Sequence, residues 1–142
     1  MARQWGVGDY RYELVENWPQ VAVNGVAADV AGDSNGRIYT VVRDPRADGT
    51  FNDITPATGH MLVFDRGGAL LDTRLTEEFS SPHGLWINGE DEIFHADCGH
   101  HTVTKYSTTG EVLMTIGAKG ERGAPGEPFN MCTRATQSRS GD

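Results

Sequence analysis

SPHGLWINGEDEIFHADCGHHTVTKYSTTGEVLMTIGAKG, residues 81–120, contains four short runs of period-two or continuous apolar character. Polar turn signals such as NGEDE and STTGE separate them, and β-branched and aromatic residues fill the runs, as half-buried strands prefer. The runs predict strands near residues 83–88, 92–97, 102–107 and 111–116.

The same arrangement occurs earlier in the chain. ADVAGDSNGRIYTVVR (28–43) aligns without a gap on HGLWINGEDEIFHADC (83–98), so that Ile38 and Tyr39 match Ile93 and Phe94, 55 positions on. GHMLVFDRGGALLDT (59–73) aligns on HTVTKYSTTGEVLMT (101–115) with an offset of 42. The difference of 13 between the offsets is one insertion, inside DPRADGTFNDITPATG after Arg43. The first copy therefore predicts strands near 27–32, 37–43, 61–66 and 69–73. Four strands in a unit of about 45 residues is the arithmetic of a β-propeller blade. No window sustains a 3.6-residue period, so the expected class is all-β, a partial propeller with two blades and the start of a third.

The domain reading follows from the repeats. A lone strand is expected over 9–15, where Tyr10, Tyr12 and Leu14 alternate, then a blade over 24–75 with its inserted loop at 44–59. A second blade spans 81–117, and 118–142 holds a loop and the first strand of a third blade, Thr133 to Ser138. On this reading the chain is the front part of a larger ring, with exposed edges that favour self-association. GAKGERGAPGEP, residues 117–128, is four Gly-X-Y triplets, too few for a collagen triple helix, and reads as a loop.

Composition narrows the partners. Eighteen glycines in 142 residues are about twice the usual ~7% and report turns. A net charge of −8, with 12 scattered lysines and arginines, argues against nucleic acid as a partner. There is no apolar stretch of membrane-spanning length and no signal-peptide pattern at the N-terminus, so a cytoplasmic location without membrane attachment is expected. Cys98 and Cys132 are too few for a disulfide scaffold, though their pairing stays open.

The residues 81–120 resemble an NHL-type six-bladed propeller repeat, whose second strand ends in Asp and precedes a short turn, here Asp97, Gly99, His101 and Val103. PHGL at 82–85, the arginine ending the second strand of the preceding blade, and GEPFN followed by CT make the chain similar to the peptidyl-alpha-hydroxyglycine alpha-amidating lyases and their bacterial relatives. The resemblance covers residues 9–142 and about half of the family's ring. It implies a zinc held by histidines from first strands of different blades, with His83 as one ligand. It implies a calcium held partly by the backbone carbonyls of Val30 and Leu85, and an active-site role for Arg43. The two remaining zinc histidines, a calcium aspartate and an active-site tyrosine would belong to blades beyond Asp142. The implied substrate is a small molecule or peptide bearing an α-hydroxyglycine. A non-catalytic propeller that binds a protein or ligand is the alternative.

Each residue also has a plainer reading. His83 could hydrogen-bond backbone at the top of a strand, and Arg43 could open a surface loop. His95, Cys98, His100 and His101 are the densest set of potential ligands, but their spacing matches no common structural zinc pattern. A turn held by Asp97 and His101 is expected there. Asp44, Asp48 and Asp53 lack the pattern of a calcium-binding loop of the EF-hand kind and read as a solvated acidic loop. Cys132 reads as a packing thiol.

Overall fold

The computed structural model describes residues 4–45, 58–75, 79–125 and 129. The expected third-blade strand, Cys132, Asp48 and Asp53 lie outside them. Ten strands run in chain order: β1 (Gln4–Val7), β2 (Tyr10–Glu13), β3 (Val26–Gly32), β4 (Ile38–Arg43), β5 (Gly59–Phe64), β6 (Leu70–Arg74), β7 (Pro82–Ile87), β8 (Ile93–Asp97), β9 (Thr102–Tyr106) and β10 (Val112–Ile116). β3 to β6 form one four-stranded antiparallel meander and β7 to β10 another, each ordered as in the chain. The fold is all-β, with two four-stranded antiparallel sheets matching the two blades expected of a partial propeller. No helix among the described residues is long and apolar enough to cross a membrane.

Turn chemistry repeats with the strands. Asp33, Asp65, Asn88 and Ser107 each accept, through a side-chain oxygen, the N–H four residues on: Arg37 at 2.8 Å, Ala69 at 2.9 Å, Glu92 at 2.8 Å and Glu111 at 3.1 Å. Their carbonyls accept from the N–H three residues on. The residue closing each turn then has positive φ, at 79° for Gly36, 88° for Gly68, 62° for Asp91 and 92° for Gly110. Glycine takes that conformation without a Cβ penalty, and Asp tolerates it. Asp91 uses its carboxylate to join the blades: Ser34 donates to it from N at 2.7 Å and from Oγ at 2.6 Å. Those two bonds hold the Asp91 carboxyl below the usual carboxylate range.

The bulges repeat too. Ala28 is the extra residue of β3 against β4, and His83 that of β7 against β8, which are matching positions in the two copies. Leu71 in β6 and Leu113 in β10 are a second matching pair. A bulge bends the strand and re-aims the side chain at the extra position.

The main core lies between the sheets. Tyr39, Val41, Met61 and Val63 from the first blade pack on Leu85, Ile93 and Tyr106 from the second, with Phe79 from the linker. Alternation forces this, because side chains two apart share a face. The opposite face of the first blade, Val42, Leu62 and Phe64, is covered by Trp18 and Val23. Trp18 packs on Phe64 with ring centroids 5.4 Å apart and donates its Nε1–H to the Arg66 carbonyl at 3.2 Å.

The N-terminal region differs from expectation. The strand expected alone over 9–15 is half of a hairpin, in which β1 pairs with β2 across Gly8 and Asp9. Gly8 has φ of 62°, which suits a tight two-residue turn whose twist matches its strands. The hairpin is exposed along its whole length.

The blades approach closely at Gly59. A Cβ there would lie 2.5 Å from the Val42 carbonyl oxygen and 2.6 Å from Pro82 Cγ. Gly59→Ala is expected to destabilise the fold by about 1–3 kcal/mol by forcing the β5 end away from β7. The urea unfolding midpoint measures this, and an unchanged midpoint would contradict the close approach.

Candidate functional site

The two blades meet along their first strands, β3 against β7, with β4 also touching β7. Arg43, the last residue of β4, lies two residues beyond Val41 and shares the face turned to the second blade. It is half-buried and pairs in the ladder with Gly59. Gly59 in turn sits against Pro82, the residue before His83. Arg43 and His83 are thus brought to one end of the same interblade seam. His83 is half-buried, and its bulged position sets its direction apart from the strand's regular alternation.

Val30 and Leu85 lie further along the same two strands. Leu85 N–H donates to Asp29 Oδ2 at 2.9 Å, and Val30 N–H donates to Asp29 Oδ1 at 2.9 Å. Neither N–H points at its ladder partner, so Val30–Thr40 and Leu85–His95 are the non-hydrogen-bonded pairs of their ladders. In such a pair the carbonyl leaves on the same side as the N–H. The carbonyls of Val30 and Leu85 therefore both face the inner edge, as a shared cation would require. Asp29 itself is set by Thr40, whose Oγ1 donates to the Asp29 carbonyl at 2.8 Å.

The donor set fits one metal better than the other. Backbone carbonyls and a carboxylate are hard oxygen donors, suited to calcium. Zinc in a catalytic site needs about three nitrogen, sulfur or carboxylate ligands. Among the described residues no three His, Cys, Asp or Glu side chains gather to hold a metal. His83 alone does not make a zinc site.

The HADCGHH cluster resolves into a turn. Asp97 is 2% exposed, and its carboxylate accepts four backbone N–H bonds: Ser80 and Ser81 at 2.8 Å, Gly99 at 2.9 Å and His100 at 3.0 Å. One side chain thereby fixes both the β8–β9 turn and the linker entering β7. His100, not the expected His101, faces the carboxylate, with Nδ1 at 3.5 Å. His101 takes a positive φ of 57°.

His95 belongs to the core. It is 1% exposed and stacks on Phe79 with ring centroids 4.1 Å apart. Burial pushes its pKa down to about 4, against a smaller opposing pull from Asp97.

Two pairings were not legible in the sequence. His60 Nδ1 lies 2.9 Å from Asp44 Oδ1, across the base of the inserted loop, so Asp44 has a side-chain partner and is not merely a solvated acid. The repeat alignment marks both surprises: His60 stands where the second copy has Thr102, and Asp29 where it has Gly84.

No protein-family profile matches the chain. The chain is similar to NHL repeat-containing protein 3 of Mus musculus, at 28% identity over 135 residues, covering 88% of this chain and 35% of that protein. It spans about a third of the length of the curated relative it matches. The similarity supports an NHL-repeat chain, in agreement with the blade architecture.

A neutral buried His95 makes stability pH-dependent. Its folded pKa of about 4 lies below the unfolded ~6.5. The unfolded chain thus binds the extra proton first as pH falls, and stability present above pH ~6.5 is lost progressively toward pH ~4. The expected slope for this one proton is about 1.4 kcal/mol per pH unit. Urea midpoints across that window should show it, and His95→Gln should remove it; an equal slope in the variant would contradict the assignment.

Proposed function

We propose that these blades supply part of an axial site for cleaving an α-hydroxyglycine, as the likeness to the amidating lyases implies. The observation that carries this reading is the seam: Arg43 and His83 reach one end of it from neighbouring blades, tied by the contact of Gly59 with Pro82. Arg43 pairs with the substrate carboxylate, since a guanidinium matches that group bidentately and fixes its orientation. His83 would contribute one imidazole nitrogen to a metal whose other ligands would come from further blades. A zinc so bound supplies an open position that lowers the pKa of a hydroxyl or water. In the reaction the carbinolamide C–N bond breaks, the hydroxyl oxygen becomes the aldehyde of glyoxylate, and a proton passes to the leaving amide nitrogen. Val30 and Leu85 would offer backbone carbonyls to a neighbouring calcium.

The second reading is a non-catalytic NHL propeller that binds a protein or ligand.

Glyoxylate release from an α-hydroxyglycine peptide separates the two. A ring carrying these blades is expected to release it with about one zinc bound, and His83→Ala to abolish both. Arg43→Ala is expected to lower kcat/KM about 100-fold for the free carboxylate substrate and far less for its amide, because only the carboxylate uses the guanidinium. The 142-residue chain alone is expected to release none. Stoichiometric zinc retained in His83→Ala, or a ring without lyase activity, would favour the binding module.

A further inference from the structure

We propose that the second blade carries a binding site for a small uncharged polyol, on the face shared by Ile93 and Tyr106 and away from the seam of β3 and β7. The site is a cavity of about 140 Å³ over β8, β9 and β10. A cavity of that size has room for about six heavy atoms, as one of ~150 Å³ accommodates benzene. The strand ladder builds its floor. His95 pairs with Thr104 and Thr104 with Thr115, so an imidazole and two hydroxyls stand in a row across three strands. Thr102, two residues before Thr104, shares their face and extends the row along β9. Phe79 adds an apolar wall, and the exposed Val112, Thr115 and Lys119 mark the open side.

An unmet hydrogen-bonding group points to an occupant. His95 lines this cavity at 1% exposure, and its Nε2 has no hydrogen-bond partner among the described residues. A buried polar atom left dry costs free energy, which a bound hydroxyl recovers. Thr102 and Thr104 are buried too, and their hydroxyls are not engaged elsewhere among the described residues. The charges of the lining select an uncharged ligand. Burial holds the imidazole neutral, with its pKa lowered to about 4. Asp97, the buried carboxylate of the lining, already accepts four backbone N–H bonds, and Lys119 is solvated on the open side. An anion inside would meet the Asp97 carboxylate, and a cation would meet only a carboxylate already saturated, so either ion loses its hydration without return. Hydroxyls and a neutral imidazole donate or accept as rotation or tautomer allows, which matches the hydroxyls of a polyol, while its carbon edge lies on Phe79.

The test follows the His95 ring and the threonine methyls of the isotope-labelled 142-residue chain by NMR during titration with glycerol, and separately with acetate as the charged probe. Saturable shifts at His95, Thr102, Thr104 and Thr115 are expected with glycerol in the millimolar range, because a ligand of few atoms has little binding energy to gain. Acetate is expected to bind at least about tenfold more weakly, since its charge is not matched inside. His95→Phe, which keeps a ring against Phe79 and removes Nε2, is expected to weaken glycerol binding about tenfold. Should that variant unfold, Thr104→Val, which exchanges a buried hydroxyl for a methyl, takes its place with the same expected loss. Unchanged glycerol affinity in the folded variant overturns the site, and acetate binding as tightly as glycerol overturns the uncharged assignment. Shifts that fail to saturate up to about 100 mM glycerol, or that centre away from β8 to β10, mean a cavity holding only water and overturn the proposal.

Discussion

Tyr39, Val41, Met61 and Val63 leave water only because Leu85, Ile93, Tyr106 and Phe79 press on them from the neighbouring sheet. A four-stranded meander has two faces, and neither blade can bury its own. The interblade joint is therefore the constraint on which the rest depends. It fixes how close the strands come, which demands glycine at position 59, and it decides which side chains end up beside one another at the seam. Polar devices then lock the joint at separate points. Asp91 holds Ser34 in the opposing turn, Asp97 holds the linker, and Asp29 holds the first strands. Each is a carboxylate accepting backbone N–H bonds, an arrangement stronger than a neutral pair because the acceptor is charged.

The same joint gathers the candidate site residues. Residues far apart in sequence, Arg43 and His83, share one end because second and first strands of adjacent blades converge there. Val30 and Leu85 share an edge because equivalent bulges put both ladders in the same phase. Repetition of backbone geometry, down to the bulged residues 28 and 83, lets two copies of one unit present different side chains at corresponding places. Ala28 in the first copy and His83 in the second occupy the same bulged position with different side chains.

Much of this was readable in the residues. The four turns announce themselves because Asp, Asn or Ser followed three residues later by Gly or Asp is the chemistry that closes such a hairpin. Strand positions follow from the period-two pattern between them, to within one or two residues. The hairpin of β1 and β2 was missed because its turn is only Gly8 and Asp9, and its faces carry no burial signal. Asp97 was expected to work with His101, yet His100 holds that place; neighbouring histidines cannot be told apart until the backbone's positive φ at residue 101 is known. Asp29 and His60 escaped for a different reason. Their partners lie across a blade joint and across an insertion, and no local pattern encodes such a meeting. The mismatch with Gly84 and Thr102 in the aligned copy was the available signal.

Hydrogen exchange at the Leu85 amide tests the joint most directly. That N–H faces away from its own ladder, so only Asp29 of the neighbouring blade protects it. The account predicts exchange slowed well below the unstructured rate, with protection at Leu85 and Val30 lost in Asp29→Ala while the Ile93 and Tyr106 amides keep theirs. A Leu85 amide that exchanges at the unstructured rate in the unmodified chain would contradict the way the two blades are joined.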